Sequence, residues 1–260
     1  MMSGHYLKHY PDQSIRQRAV ANYSWLSGLR SAVRLPRLLS APDQEHLMFE
    51  HVSGRHARSE DLPLIAACLG GMHGDAYARE LYQARLPDHF LPRAGHMLPG
   101  FPDGRLDTVA RELRAGRVPD ARLTVEQAQE LITGADGPAA FYKDANPRNF
   151  LITPEGSPVT IDFDDLSLAP FGYDLAKLIV TLAMTYGPVP DTSIAAALTS
   201  YNEASARHCH SLPGVTREEL MRWAEIHHIL TSRYAADGRY PWRWDQGRPV
   251  HAPEGASTWP

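Results

Sequence analysis

The stretch from Phe141 to Asp174 constrains this chain more than any other. Phe150 to Thr153 and Val159 to Phe163 are apolar or β-branched runs, and Pro154-Glu155-Gly156-Ser157-Pro158 between them is turn chemistry, so the unit is expected to be a hairpin. The midpoint of Asn149 and Asp162 falls between Glu155 and Gly156. A hairpin folded at that point sets Asn149 and Asp162 opposite each other at its open end, where an amide oxygen and a carboxylate can grip one hard cation such as magnesium. Asp144, five residues before Asn149 on the preceding loop, is expected to face the same spot.

Those side chains are what phosphoryl transfer asks of a protein, because its transition state needs mainly positioning and charge neutralisation. A carboxylate, here Asp144, orients the attacking hydroxyl and takes its proton. Asn149 and Asp162 are the candidate metal ligands. Asp144-x-x-x-x-Asn149 followed by Asp162 resembles the catalytic and metal-binding loops of protein kinases. Asp162-Phe163-Asp164, with Pro170-Phe171-Gly172-Tyr173-Asp174-Leu175-Ala176 opening a helix, is similar to the aminoglycoside phosphotransferase and choline kinase branch of that fold. The resemblance implies an α+β, protein-kinase-like two-lobe fold. Residues 1–53 are then a truncated N-lobe with the hinge, and residues 54–260 a mainly helical C-lobe carrying the catalytic loop and metal-binding hairpin. It further implies an ATP-dependent O-phosphotransferase using Mg2+ and acting on a hydroxyl of a small molecule of aminoglycoside, choline, sugar or amino-alcohol type. The competing reading is a pseudokinase-like binding or scaffold protein that retains the C-lobe. Asp144, Asn149 and Asp162 together favour the enzyme, since a chain free of catalytic demand has no chemical reason to hold all three.

The same resemblance assigns roles near the N-terminus. Gly4 to Tyr10 reads as a short strand with Lys8 at its centre, and Lys8 matches the strand lysine that pairs with the α- and β-phosphates of ATP. Only seven residues precede it, too few for the two strands and glycine-rich turn of a kinase small lobe, so the lobe is expected to be clipped. The following helix, Ser14 to Leu29, places Ala19 where the family has a glutamate to hold that lysine, and no acidic residue lies between Asp12 and Asp43. Leu35 to Leu39 and His46 to Val52 are the next strands. Glu50, His51 and Val52 form the implied hinge, whose backbone N–H and C=O groups meet the adenine edge.

Further on, Asp61 and Pro63 open an amphipathic helix, and residues 85–104 form a long connecting loop. Thr124-x-x-Gln127 and Thr216-x-x-Glu219 are capping boxes for two later helices. Asp174 starts a buried helix through Tyr186, and the resemblance makes it a structural anchor for the catalytic loop. The acceptor site is implied to lie among the helices between Asp191 and Tyr240, and residues 239–260 form either a packed tail or a flexible end. Lys143, beside Asp144, is expected to hold that carboxylate ionised or to reach a phosphate oxygen. His73 on its apolar helix face reads as a packing residue. His208, His210, His227 and His228 lack zinc-ligand spacing and read as helix-end or surface residues.

A net charge of -4, from 26 basic and 30 acidic residues, offers no basic surplus for nucleic acid, and no apolar run is long enough for a membrane span. Cys68 and Cys209, far apart and at no ligand spacing, read as reduced thiols of a cytoplasmic protein.

Overall fold

In the computed structural model, which describes residues 4–29 and 34–249, Pro11 and Asp12 break the first strand and start the first helix. β1 (His5–His9) ends before them, and the Asp12 carboxylate accepts the N–H groups of Ser14 at 2.6 Å and Ile15 at 3.4 Å, capping α1 (Gln13–Gly28). β2 (Leu38–Ser40) and β3 (His46–Glu50) complete an antiparallel sheet in the order β1-β3-β2, with Lys8 opposite Leu47. Alternation along β3 buries Leu47 and Phe49 on one face, against which α1 turns Ala19, Trp25 and Leu26.

β4 (Arg55–His56) leads to α2 (Leu62–Arg79), and α3 (Arg105–Arg114), α4 (Val125–Thr133) and β5 (Ala139–Tyr142) bring the chain to the loop bearing Asp144. The hairpin follows as β6 (Phe150–Ile152) and β7 (Pro158–Thr160), and then β8 (Ser167–Pro170), which pairs with β5. α5 (Tyr173–Tyr186), α6 (Asp191–Ala206), α7 (Arg217–Ala236) and the short α8 (Trp244–Gly247) complete the larger part. α5 is buried on every side from Tyr173 to Met184, as its nearly unbroken apolar run requires. α6 lies close against α2 at Gly70 and Gly74; a Cβ at Gly70 would stand 2.2 Å from the Tyr201 carbonyl oxygen. Both capping boxes form, Thr124 with Gln127 and Thr216 with Glu219. In the C-terminal stretch up to residue 249, Trp244 and Arg248 are the anchors: both are buried, Trp244 donates to Glu225 at 3.0 Å, and Arg248 binds Glu225 and Asp120, while Arg239, Pro241, Trp242 and Arg243 are exposed. The rest of it lies outside the described residues. No helix among the described residues is long and apolar enough to cross a membrane.

Two expectations need correcting. The hairpin pairs Phe150 with Thr160, Leu151 with Val159 and Ile152 with Pro158, and the Ile161 N–H donates to the Asn149 carbonyl at 2.9 Å. Asn149 therefore faces Ile161, and Asp162 lies one residue beyond the pair. The turn explains the slip: Thr153 and Ser157 close a loop of Pro154, Glu155 and Gly156, with Gly156 left-handed at φ 79, so the fold centres on Glu155. The second concerns His227 and His228, which are buried on α7 and not at the surface. Their Nε2 atoms meet the carbonyl oxygens of Tyr173 and Pro119, both at 2.9 Å. His73 is a packing residue as expected, buried with Nδ1 2.7 Å from the Tyr201 hydroxyl.

Candidate active site

A cavity of about 570 Å³ gathers Lys8 from β1, Glu50, His51 and Val52 from the end of β3, and Asn149 and Asp162 from the two sides of the hairpin. Asp144 adjoins this group, because the Asn149 side-chain amide donates to its backbone carbonyl at 2.9 Å. That bond uses the amide nitrogen, so the amide oxygen is the group of this side chain that can act as an acceptor.

The loop bearing Asp144 is held from below by α5. Asp174 in the first turn of that helix accepts the backbone N–H groups of Lys143 and Ala145, both at 2.9 Å, and so fastens the residues on either side of Asp144. Burial pushes the Asp174 carboxyl up to about 6, with Lys143 and the two N–H groups opposing the rise. Asp144 itself is left-handed at φ 58, as is Asp162 at φ 60, a conformation aspartate tolerates better than most residues. The Tyr142 hydroxyl at 2.8 Å and the Lys177 ammonium at 3.2 Å both meet Oδ1 of Asp144 rather than Oδ2. Desolvation would raise this carboxyl; the field of Lys177, the Tyr142 hydroxyl and the Lys177 hydrogen bond outweigh it and hold the group below the usual carboxylate range.

Lys177 carries no sequence signal of its own. It lies three residues after Asp174 on the helix, so the two project from neighbouring positions of one face. Lys143 does the opposite of what its place beside Asp144 suggests. Its side chain turns inward, 1% of the residue is exposed, and the ammonium lies 4.5 Å from the centre of the Phe150 ring with no hydrogen-bond partner. It cannot reach a phosphate, and burial lowers its pKa despite the nearby carboxylates. Arg148 remains exposed.

At the hairpin's open end the Lys8 ammonium is 2.9 Å from Asp162 and 2.6 Å from Asp164. Burial opposes its charge, but Asp164 and then Asp162 overcome that and raise its pKa. As a donor set for a cation, the Asn149 amide oxygen and the half-exposed Asp162 carboxylate fit magnesium, which takes one or two protein oxygens and completes its shell with water and substrate phosphates. Among the described residues no cluster of three His, Cys, Asp or Glu side chains could hold a metal by itself. At the hinge the N–H of Glu50 is bound to the Arg37 carbonyl at 2.9 Å and that of His51 to the Gly4 carbonyl at 3.0 Å. Sheet pairing thus consumes two of the expected adenine donors, and leaves the carbonyls and, among the described residues, the Val52 N–H.

The sequence model of a family described as the phosphotransferase enzyme family, APH, matches residues 6–209. Among solved structures, the amicoumacin kinase hAmiN in complex with AMP-PNP, Ca2+ and Ami shares 15% identity over 89% of this chain and 72% of that one, with a TM-score of 0.57. The macrolide 2'-phosphotransferase MphH from Brachybacterium faecium shares 15% identity over 95% and 86% of the two chains, with a TM-score of 0.56. Choline kinase LicA from Streptococcus pneumoniae shares 14% over 92% and 80%, with a TM-score of 0.51. A comparison with curated proteins found no match. At these identities the structural likeness is one of fold, and that fold is the α+β, protein-kinase-like one.

Proposed function

We propose that this chain, which belongs to the phosphotransferase enzyme family, is a small-molecule kinase that transfers the terminal phosphoryl group of ATP to a hydroxyl. The observation that carries this reading is the single cleft in which Lys8, the hinge residues, Asn149 and Asp162 meet, with Asp144 tied to Asn149 at its edge. The cleft lies between elements before residue 53 and elements after residue 54, which supports the two-lobe division at that point.

In this reading the adenine lies against residues 50–52 and Lys8 neutralises the α- and β-phosphates. Oδ2 of Asp144 accepts the proton of the acceptor hydroxyl as the new O–P bond forms and the bond to the β-phosphate oxygen breaks, so that ADP leaves and the proton stays on the carboxylate. Lys177 and Tyr142 hold the other oxygen, fixing the direction from which the hydroxyl approaches. Asn149 and Asp162 would hold magnesium, which would supply charge neutralisation at the phosphates. The AMP-PNP and Ca2+ in the hAmiN complex are ligands of the class this cleft suits. The acceptor enters from the side of the helices between residues 191 and 240. Tyr240, whose hydroxyl accepts a hydrogen bond from Asn146 at 3.1 Å, brings the end of that region to the catalytic loop. Aminoglycoside, choline, sugar and amino-alcohol acceptors all fit this reading. Calorimetry with Mg-ATP tests it. Wild type is expected to bind and Asp162→Ala to bind at least about tenfold more weakly, the worth of one or two charge-assisted contacts; equal affinities would remove Asp162 from the metal site.

A further inference from the structure

Lys8 lacks the partner that its place on β1 calls for. α1 presents no carboxylate to it: Ala19 is fully buried, and the inward Asn22 donates its side-chain amide to the backbone carbonyls of Phe163 at 3.2 Å and Asp164 at 2.9 Å. Arg18 adds a hydrogen bond to the Asp164 carbonyl at 3.3 Å. α1 therefore grips the backbone of the segment after Asp162 and leaves the lysine alone. The counter-charge comes from that segment's own side chain. Asp164 Oδ2 stands 2.6 Å from the Lys8 ammonium, and its Oδ1 accepts the Tyr10 hydroxyl at 3.2 Å.

The two carboxylates on Lys8 differ in where they stand. Asp162 lines the cavity and its side chain is 51% exposed, whereas Asp164 is 18% exposed and is not part of the cavity wall. A ligand entering the cavity meets Asp162 and Lys8 but not Asp164. A lysine bonded only to Asp162 would compete with any cation for that carboxylate; one anchored on Asp164 need not. We propose that Asp164 is the positioning residue for Lys8, replacing the helix glutamate: it holds the ammonium toward the nucleotide phosphates and leaves Asp162 free for the metal. The inference rests on the functional reading above.

A double-mutant cycle on nucleotide affinity tests it, by calorimetry with ATP in the presence of magnesium and again with a chelator. Asp164→Asn keeps the shape of the side chain and an acceptor for Tyr10 while removing the charge. It is expected to weaken Mg-ATP binding about tenfold, and to shrink the gain in affinity that magnesium brings, because Lys8 then falls back on Asp162. In a Lys8→Met background the same substitution is expected to change affinity by less than about twofold, since Asp164 acts through the lysine. Should Asp164→Asn fail to fold, Tyr10→Phe takes its place in the cycle, with a smaller loss of about twofold to threefold that also vanishes with Lys8→Met. Unchanged affinity in the substituted protein, or a full loss that persists in Lys8→Met, overturns the inference while the wild type still binds nucleotide. Failure of the wild type to bind nucleotide at all overturns the functional reading and the inference together.

Discussion

Asp144 shows how much chemistry one residue can concentrate. Its backbone is left-handed, its flanking N–H groups are held by Asp174, and one of its oxygens is taken by Tyr142 and Lys177. Asp144→Asn keeps the shape but cannot accept the proton. Turnover of an identified acceptor is expected to fall on the order of a hundredfold or more, with Mg-ATP affinity within about threefold of wild type; surviving turnover would place the base elsewhere. Lys177→Met removes the strongest influence holding Asp144 below the usual carboxylate range. The carboxyl then protonates at higher pH, so the acid limb of the rate profile is expected to move toward neutrality, with kcat falling more than the ATP KM rises. A profile that keeps its acid limb would separate Lys177 from the base. That Asp144, Asn149 and Asp162 come near one another was legible because all three lie on one short stretch of chain. Lys177 and Asp164 were not, since a lysine on an apolar helix and a second aspartate in an acidic run become meaningful only beside their partners.

Among the elements, the hairpin was readable in kind but misplaced by one residue. Apolar runs flanking Pro-Glu-Gly-Ser-Pro announce two strands, yet register depends on which residue takes the left-handed turn position, and Gly156 settles that. Asp162 leaves the ladder just after the paired Ile161 and takes a left-handed conformation of its own. α2 and α6 show the reverse case, in which small residues in the sequence turn out to govern a contact between helices. Gly70→Ala pushes a methyl group into the Tyr201 carbonyl, where backbone on both sides must move. A loss of about 1–3 kcal/mol is expected, read as a lower urea midpoint with an unchanged slope. Wild-type stability in that variant would mean that the two helices separate at little cost.

For the whole molecule, buried histidines contribute to how acid affects stability. Burial, with Lys143 second, lowers the His73 pKa from 6.5 to about 3, and burial with Lys177 lowers that of His227 well below the usual value. Such a group has no effect at neutral pH. As pH falls through 6.5 the unfolded chain takes up a proton that the folded chain refuses, so stability declines. Asp174, raised to about 6, works the other way for one group, because the folded chain binds its proton first. The contribution of His73 is on the order of 2 kcal/mol at pH 5. Urea unfolding at pH 7 and pH 5 is expected to show a pH-dependent loss in wild type that is smaller by about that amount in His73→Leu; equal losses would mean that His73 accepts its proton in the folded protein. By itself the sequence determined the hairpin unit, the strand that carries Lys8, the helices with their capping boxes and the family pattern, since these rest on spacing and local propensity along the chain. Only the tertiary structure decided that Lys8 meets both Asp162 and Asp164, that Lys143 turns inward while Lys177 takes the place beside Asp144, and that the N–H groups of Glu50 and His51, two of the three in residues 50–52, are bound within the sheet. Each of those depends on which groups from distant segments arrive within about 3 Å of one another, and charge pairing at that range follows from packing and not from order along the chain.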